Sequence, residues 1–312
     1  MVTAGYTNFK QYLYCTFSQS GLVNMQQINN IFKIIALIII PLIPVTSQAA
    51  EENRKELIFG VHPYLHASIL VERFTPLTEY LSSKLGQKVL IRVGSDYNDY
   101  VEAIKHGKVD FAFLGPALLI KLTRDSNDFQ PLGRLSFSGK DSFRGAIITR
   151  TESNIDSIKD LKGKQFAFGD PNSTLSSLLP LRLLNDAGIT LAHLAGYSNL
   201  KNHHNVALSV LLGKHDAGGV KEEVLREYES RGLKAIKWSP EIPTHLFVAR
   251  QGLSQKKIDA LSSLLQNLHQ QPDATTILQN IKKGTTAIIP AQIEEYAELR
   301  KLISPLLINL QQ

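Results

Sequence analysis

The residues best suited to chemistry in this 312-residue chain lie in one short segment, Gln165–Leu179, QFAFGDPNSTLSSLL. An apolar strand runs into Gly169-Asp170-Pro171-Asn172, and Ser173-Thr174 then opens a helix. The first turn of a helix has N–H groups without partners and carries a partial positive charge. Two hydroxyls placed there complete a site for a tetrahedral oxyanion. The same residue types are also the ordinary N-caps, so the motif alone leaves plain capping open. Other candidates carry the same ambiguity. Tyr97 in SDYNDY offers a phenol, as an anion donor or a packing residue. His203-His204 offers imidazole donors or a cap. Glu223 in Lys221-Glu222-Glu223 either faces a cleft or belongs to a solvated helix start. His62 and His66 are four apart, but Pro63 places His62 at a turn and no carboxylate pattern completes a metal site. No metal or cofactor is expected.

Several chemistries are absent. The chain has no GxxxxGK[ST] phosphate loop, no GxSxG nucleophile elbow and no GxGxxG after a strand. Ser173 has no evident base and His203 no evident orienting acid, so an enzyme is not expected. The only Cys is Cys15 and the only Met residues are Met1 and Met25, which excludes structural disulfides and Cys-based zinc sites.

The elements that would position these residues alternate. Strands are expected at Glu56–Val61, Lys88–Val93 and Val109–Leu114, with helices at Ser68–Leu85 and Tyr97–Lys105 between them. Gly86 and Gly107 stop the two helices. A second series starts at Gln165 and closes near Trp238, and helices follow at 254–269, 273–283 and 291–307. Repeated strand–helix–strand units imply an α/β protein with mostly parallel sheets. Two apolar segments ending in Arg, GAIITR and HLFVAR, bracket the middle block. Two lobes joined by a two-strand hinge follow: 51–146 plus 248–312, and 147–247. An offset of 106 residues relates Asp99–Asp110 to Asn205–Asp216, which sets Tyr97 against His203.

Residues 1–50 read separately. They hold Lys10 and Lys33 and no acid, and Ile34–Val45 is a twelve-residue apolar run. A bilayer span needs about 20 residues, so the run suits a signal peptide rather than an uncleaved anchor, with cleavage near Ala49/Ala50 and export out of the cytoplasm. Met25 is the expected true start. Removing two Lys lowers the net charge from +6 to +4, and no block of five like charges exists, so no nucleic-acid partner is expected.

Three blocks, GDPNST at 169–174, SDYNDYVEAIKHGKVDFAFLGP at 95–116 and KNHHNVALSVLLGKHDAGGVKEEV at 201–224, resemble the periplasmic phosphonate/phosphite/phosphate-binding proteins of ABC importers. The likeness extends over nearly all of 56–255, while the last sixty residues match only as helices. It implies a type 2 periplasmic-binding fold that closes on a small oxyanion and passes it to a membrane permease. It further implies that Ser173, Thr174, Tyr97 and His203 hold the ligand. Three departures bear on the substituent end. Leu175 stands where a further Ser is common, Phe143 replaces a Tyr, and His245 replaces an acid that holds the amine of aminoalkyl phosphonates. Glu223 matches a second acid of that pocket and would stand alone, which disfavours an aminoalkyl ligand. The alternatives are a sensory module feeding a membrane receptor, or a binder of another small anion.

Overall fold

The computed structural model describes residues 55–124 and 129–309; the expected signal peptide over 1–50 lies outside the described residues. Among them no helix is long and apolar enough to cross a membrane.

The first series is β1 (Glu56–Val61), α1 (Ala67–Leu85), β2 (Lys88–Val93), α2 (Tyr97–Lys105), β3 (Phe111–Leu114), α3 (Pro116–Leu122) and β4 (Gln130–Ser136). Gly86 ends α1 in the left-handed conformation, at φ 61°, which glycine adopts without a Cβ penalty. Next come β5 (Ser142–Phe143) and β6 (Gly145–Arg150). The second series is β7 (Gln165–Phe168), a π-helical turn (Thr174–Leu178), α4 (Leu179–Asp186), β8 (Gly196–Asn199), α5 (His203–Leu211), β9 (Ala217–Lys221), α6 (Glu222–Glu229) and β10 (Leu233–Trp238). The chain returns through β11 (Ile242–Pro243) and β12 (Leu246–Ala249). It ends with α7 (Gln255–Gln266), α8 (Ala274–Ile281), β13 (Ala287–Ile289) and α9 (Ala297–Asn309).

The strands form two sheets, ordered β13-β4-β12-β3-β1-β2 and β10-β6-β9-β7-β8. The expectation of mostly parallel sheets is corrected, because both are mixed. β2-β1-β3 and β8-β7-β9 are parallel, whereas β12, β4 and β13 in one sheet and β6 and β10 in the other pair antiparallel. Parallel pairing arises where helical crossovers return the chain to the same edge. The segments passing between sheets arrive from the opposite side and run against that direction. Those two segments touch in a short antiparallel ladder of their own, β5 against β11, with Ile242 opposite Phe143. β13 was not expected; its three residues are too few for a period-2 pattern to show.

The 106-residue offset is a real structural repeat. α2 and α5 both have nine residues, starting at Tyr97 and His203. In each lobe an Asp after the Gly-Lys turn accepts a backbone N–H from the first parallel strand: Asp110 from Ile58 at 2.8 Å and Asp216 from Gln165 at 2.8 Å. The amide after each turn glycine also closes identically, Lys108 onto Ala103 and Lys214 onto Ser209, both at 2.9 Å.

Separate apolar clusters fill the lobes. Around α1 and the large sheet the core is Phe59, Phe74, Phe111, Phe113 and Phe247; around α5 and α6 it is Val206, Val210, Val220 and Val224. A further cluster joins the two sides: Ala117 and Ile120 of α3 and Leu299 and Ile303 of α9 pack on Leu175, Leu178 and Leu179. The opening helix of the 169–174 segment is therefore anchored by apolar burial from the other lobe.

Candidate functional site

Between the sheets lies a cavity of about 550 Å³, within the range of roughly 300–1,000 Å³ typical of small-molecule sites. Tyr97, Ser173, Thr174, Leu175, His203 and Glu223, the six residues singled out from the sequence, all line it.

The 169–174 segment is built for close approach. Asp170 accepts the Asn172 N–H at 2.8 Å, turning the chain, and Ser173 follows as the cap of the π-helical turn. Such π-turns concentrate at functional sites. Ser176, which the sequence reading passed over, fixes the cap: its hydroxyl donates to Ser173 Oγ at 2.7 Å, and its N–H points at the same oxygen at 3.4 Å. With its oxygen accepting, Ser173 keeps its own hydrogen for another acceptor. Thr174, only 7% exposed, is set the same way from the other lobe. Its Oγ1 accepts the Ala117 N–H of α3 at 3.0 Å, which leaves its hydrogen free to donate. The N–H groups of Thr174 and Leu175 have no backbone acceptor among the described residues. Leu175 thus contributes an amide donor and apolar packing.

Gly169 makes room for this arrangement. A Cβ there would lie 2.0 Å from Ser176 Oγ and 2.7 Å from Ser176 Cβ. Gly169→Ala is expected to displace Ser176, costing about 1–3 kcal/mol of stability as overpacking does, read as a lower urea midpoint with m unchanged. A wild-type midpoint would show that Ser176 yields freely.

His203 begins α5, capped by Asn202, whose side chain accepts the Asn205 N–H. No carboxylate orients its ring. Instead Nδ1 accepts the backbone N–H of Lys221 at 3.0 Å, so the hydrogen of the neutral ring sits on Nε2. Burial, with the Lys221 and Lys282 charges, holds the ring well below its usual pKa. His203 is therefore a neutral N–H donor. Tyr97 also stays protonated, since burial and then the Asp170 charge push its phenol up. The N–H groups of Asn98 and Asp99 at the start of α2 are taken by the Asp96 carboxylate, so Tyr97 brings its phenol rather than a free helix terminus.

His62 and His66 do not meet as a metal pair, and among the described residues no group of three or more His, Cys, Asp or Glu could hold a metal. His66 caps α1 from the surface, while His62 is buried and donates Nδ1–H to the Phe113 carbonyl at 3.0 Å. Burial, opposed by that hydrogen bond, drives its pKa down to about 4. Its Nε2 is a bare acceptor. His245 stacks on His62 with centroids 5.5 Å apart and an 18° interplanar angle.

Glu223 is already ion-paired within the protein. Lys282, just after α8, reaches across the cleft to it at 3.0 Å, and the Lys221 ammonium lies 3.8 Å away. Burial raises the Glu223 carboxyl, but the two ammonium charges outweigh it and hold the group below its usual value. The sequence carries no signal for Lys282 as a site residue, because it lies in the final helices, far along the chain from Glu223.

Residues 59–296 match the family described as "ABC transporter, phosphonate, periplasmic substrate-binding protein". The chain belongs to that family. This is a family of binding proteins, not enzymes, and it serves transport in the periplasm. Among curated relatives, the phosphonates-binding periplasmic protein of Escherichia coli (strain K12) is 26% identical over 243 residues, covering 74% of this chain and 72% of that protein. The phosphate-import protein PhnD of Mycolicibacterium smegmatis is 27% identical over 235 residues, covering 70% and 73%. The structure of PhnD1 from Prochlorococcus marinus (MIT 9301) in complex with methylphosphonate superposes with a TM-score of 0.72 at 21% identity, covering 81% of this chain and 98% of that one. That likeness establishes the two-lobed fold.

Proposed function

We propose that this protein binds a phosphorus oxyanion (phosphonate, phosphite or phosphate) in the interlobe cleft and delivers it to an ABC permease. The observation carrying this reading is the convergence of uncharged donors whose hydrogens are free. They are the hydroxyls of Ser173 and Thr174, the N–H groups of Thr174 and Leu175, the Tyr97 phenol and the Nε2–H of His203. Such donors suit a tetrahedral anion, and a buried donor left unpaired costs about 1–3 kcal/mol, which makes the site selective. His62 Nε2 supplies an acceptor among these donors, a match for the one hydrogen of a monoprotonated oxyanion. The names of the two curated relatives, a phosphonate binder and a phosphate importer, support the same ligand class. Residues 1–50 are the proposed export signal, removed near Ala49/Ala50, and the lobes are proposed as 51–146 plus 248–312 and 147–247. Titration calorimetry of the mature chain with phosphate, phosphite and methylphosphonate is expected to give saturable heat with at least one. No heat with any of the three rejects a phosphorus ligand.

A further inference from the structure

Resting on that reading, the structure goes further along the ring-lined side of the cleft. A line of rings runs from Tyr97 along one side of the cavity. His62 lies 5.9 Å from Tyr97, His245 5.5 Å from His62, and Phe143 5.4 Å from His245. The line ends at the Lys282 ammonium, 5.0 Å from the Phe143 ring and 4.8 Å from Phe137. All but Phe137 line the cavity. The lobes already touch across it, through Thr174 and Ala117, Asn172 and Lys121, and Glu223 and Lys282. The space of about 550 Å³ therefore belongs to lobes in contact, and it exceeds what an anion of about five heavy atoms fills.

Charge beside Glu223 is unbalanced. Lys221 and Lys282 share the single carboxylate of Glu223, and no second carboxylate lies within ion-pair distance of either among the described residues. The Lys282 ammonium thus already engages the Glu223 carboxylate, and this group of three carries one net positive charge. A partly buried cation favours an added anion. The imidazole of His245 is neutral: burial, then Lys282, drive it well below its usual pKa, so it neither repels nor neutralises a charge brought beside it.

We infer that the ligand is an organophosphorus anion carrying a second acidic group, with its spacer laid along the ring wall and that group met by Lys282 and Lys221. Lys282 is then a specificity-determining residue that turns the substituent end from amine-binding to acid-binding.

Three ligands of matched length test this by calorimetry: 3-phosphonopropionate, propylphosphonate and 3-aminopropylphosphonate, with methylphosphonate as reference. The intact chain is expected to bind 3-phosphonopropionate at least tenfold tighter than propylphosphonate, and 3-aminopropylphosphonate weakest. In Lys282→Met the ratio between the first two should fall toward one. Glu223→Gln, which leaves both ammonium groups without their carboxylate, should widen that ratio; this variant keeps the test decisive if Lys282→Met does not fold. Tightest binding of the amine, or a ratio unchanged in Lys282→Met, overturns the inference while leaving the phosphorus reading in place. Absence of heat with methylphosphonate, phosphite and phosphate as well overturns both.

Discussion

Thr174→Val is expected to weaken binding of methylphosphonate or phosphate by roughly 100-fold or more. Valine keeps the shape and removes the hydroxyl, and with it two hydrogen bonds of different kinds. One is the bond that the proposed function has Thr174 donate to the anion, and hydrogen bonds to charged groups contribute about 1.5–3 kcal/mol. The other is the bond it accepts from the Ala117 N–H across the cleft. An orphaned buried N–H costs about 1–3 kcal/mol, and here the cost falls only on the closed form, the form that holds ligand. At 1.4 kcal/mol per tenfold, either loss alone gives about tenfold or more, and the two together about a hundredfold or more. The measurement is the dissociation constant by calorimetry, beside the urea midpoint of the ligand-free protein. An unchanged affinity in a folded variant would remove Thr174 from the site. Since the cross-lobe bond is lost too, the ligand-bound form should also close less completely, visible as a larger radius of gyration by small-angle scattering.

Stability is expected to fall steeply as pH drops below about 6.5, before most carboxylates titrate. His62, His203 and His245 are all pushed below the ordinary imidazole pKa, chiefly by burial, His62 to about 4. In the unfolded chain each takes up a proton near pH 6.5; in the folded protein none does until lower pH. Between those values the unfolded state binds more protons, so folding stability rises with pH through this window and is flat above it. Each histidine contributes a slope of about 1.4 kcal/mol per pH unit, and three together about 4. Half-buried His215, also lowered by burial, adds the same sign. Asp170 acts oppositely, since burial raises its carboxyl. Urea unfolding at pH 7, 6 and 5 measures the slope. His62→Asn, which retains a donor for the Phe113 carbonyl and removes the titration, should lower it by about one third. A stability constant between pH 7 and 5 would show that the three rings are hydrated in the folded protein.

The repeat of β-strand, helix and Gly-Lys turn was legible because its signals are local. Apolar spacing sets α2 and α5, Asp96 and Asn202 cap them, and Gly107 and Gly213 end their turns at φ 65° and 71°. The same locality explains why the strand leading into 169–174 and the apolar runs GAIITR and HLFVAR, which form β6 and β12, were legible. Those features are settled by residues within a few positions of one another.

Tertiary structure decided whatever depends on groups distant in sequence. Direction of the hydroxyl hydrogens at Ser173 and Thr174 follows from Ser176 folding back and from Ala117 approaching out of the other lobe. The tautomer of His203 follows from the amide of Lys221. The antiparallel halves of both sheets follow from the side on which the chain enters each sheet after the β5–β11 ladder. Above all, Lys282 meeting Glu223 joins residues 59 positions apart on opposite lobes. No spacing rule encodes that encounter, since loop closure leaves nothing periodic in the sequence to mark which distant side chains meet. By itself the sequence determined the strand and helix start that present Ser173 and Thr174; only the tertiary structure decided which lysines surround Glu223.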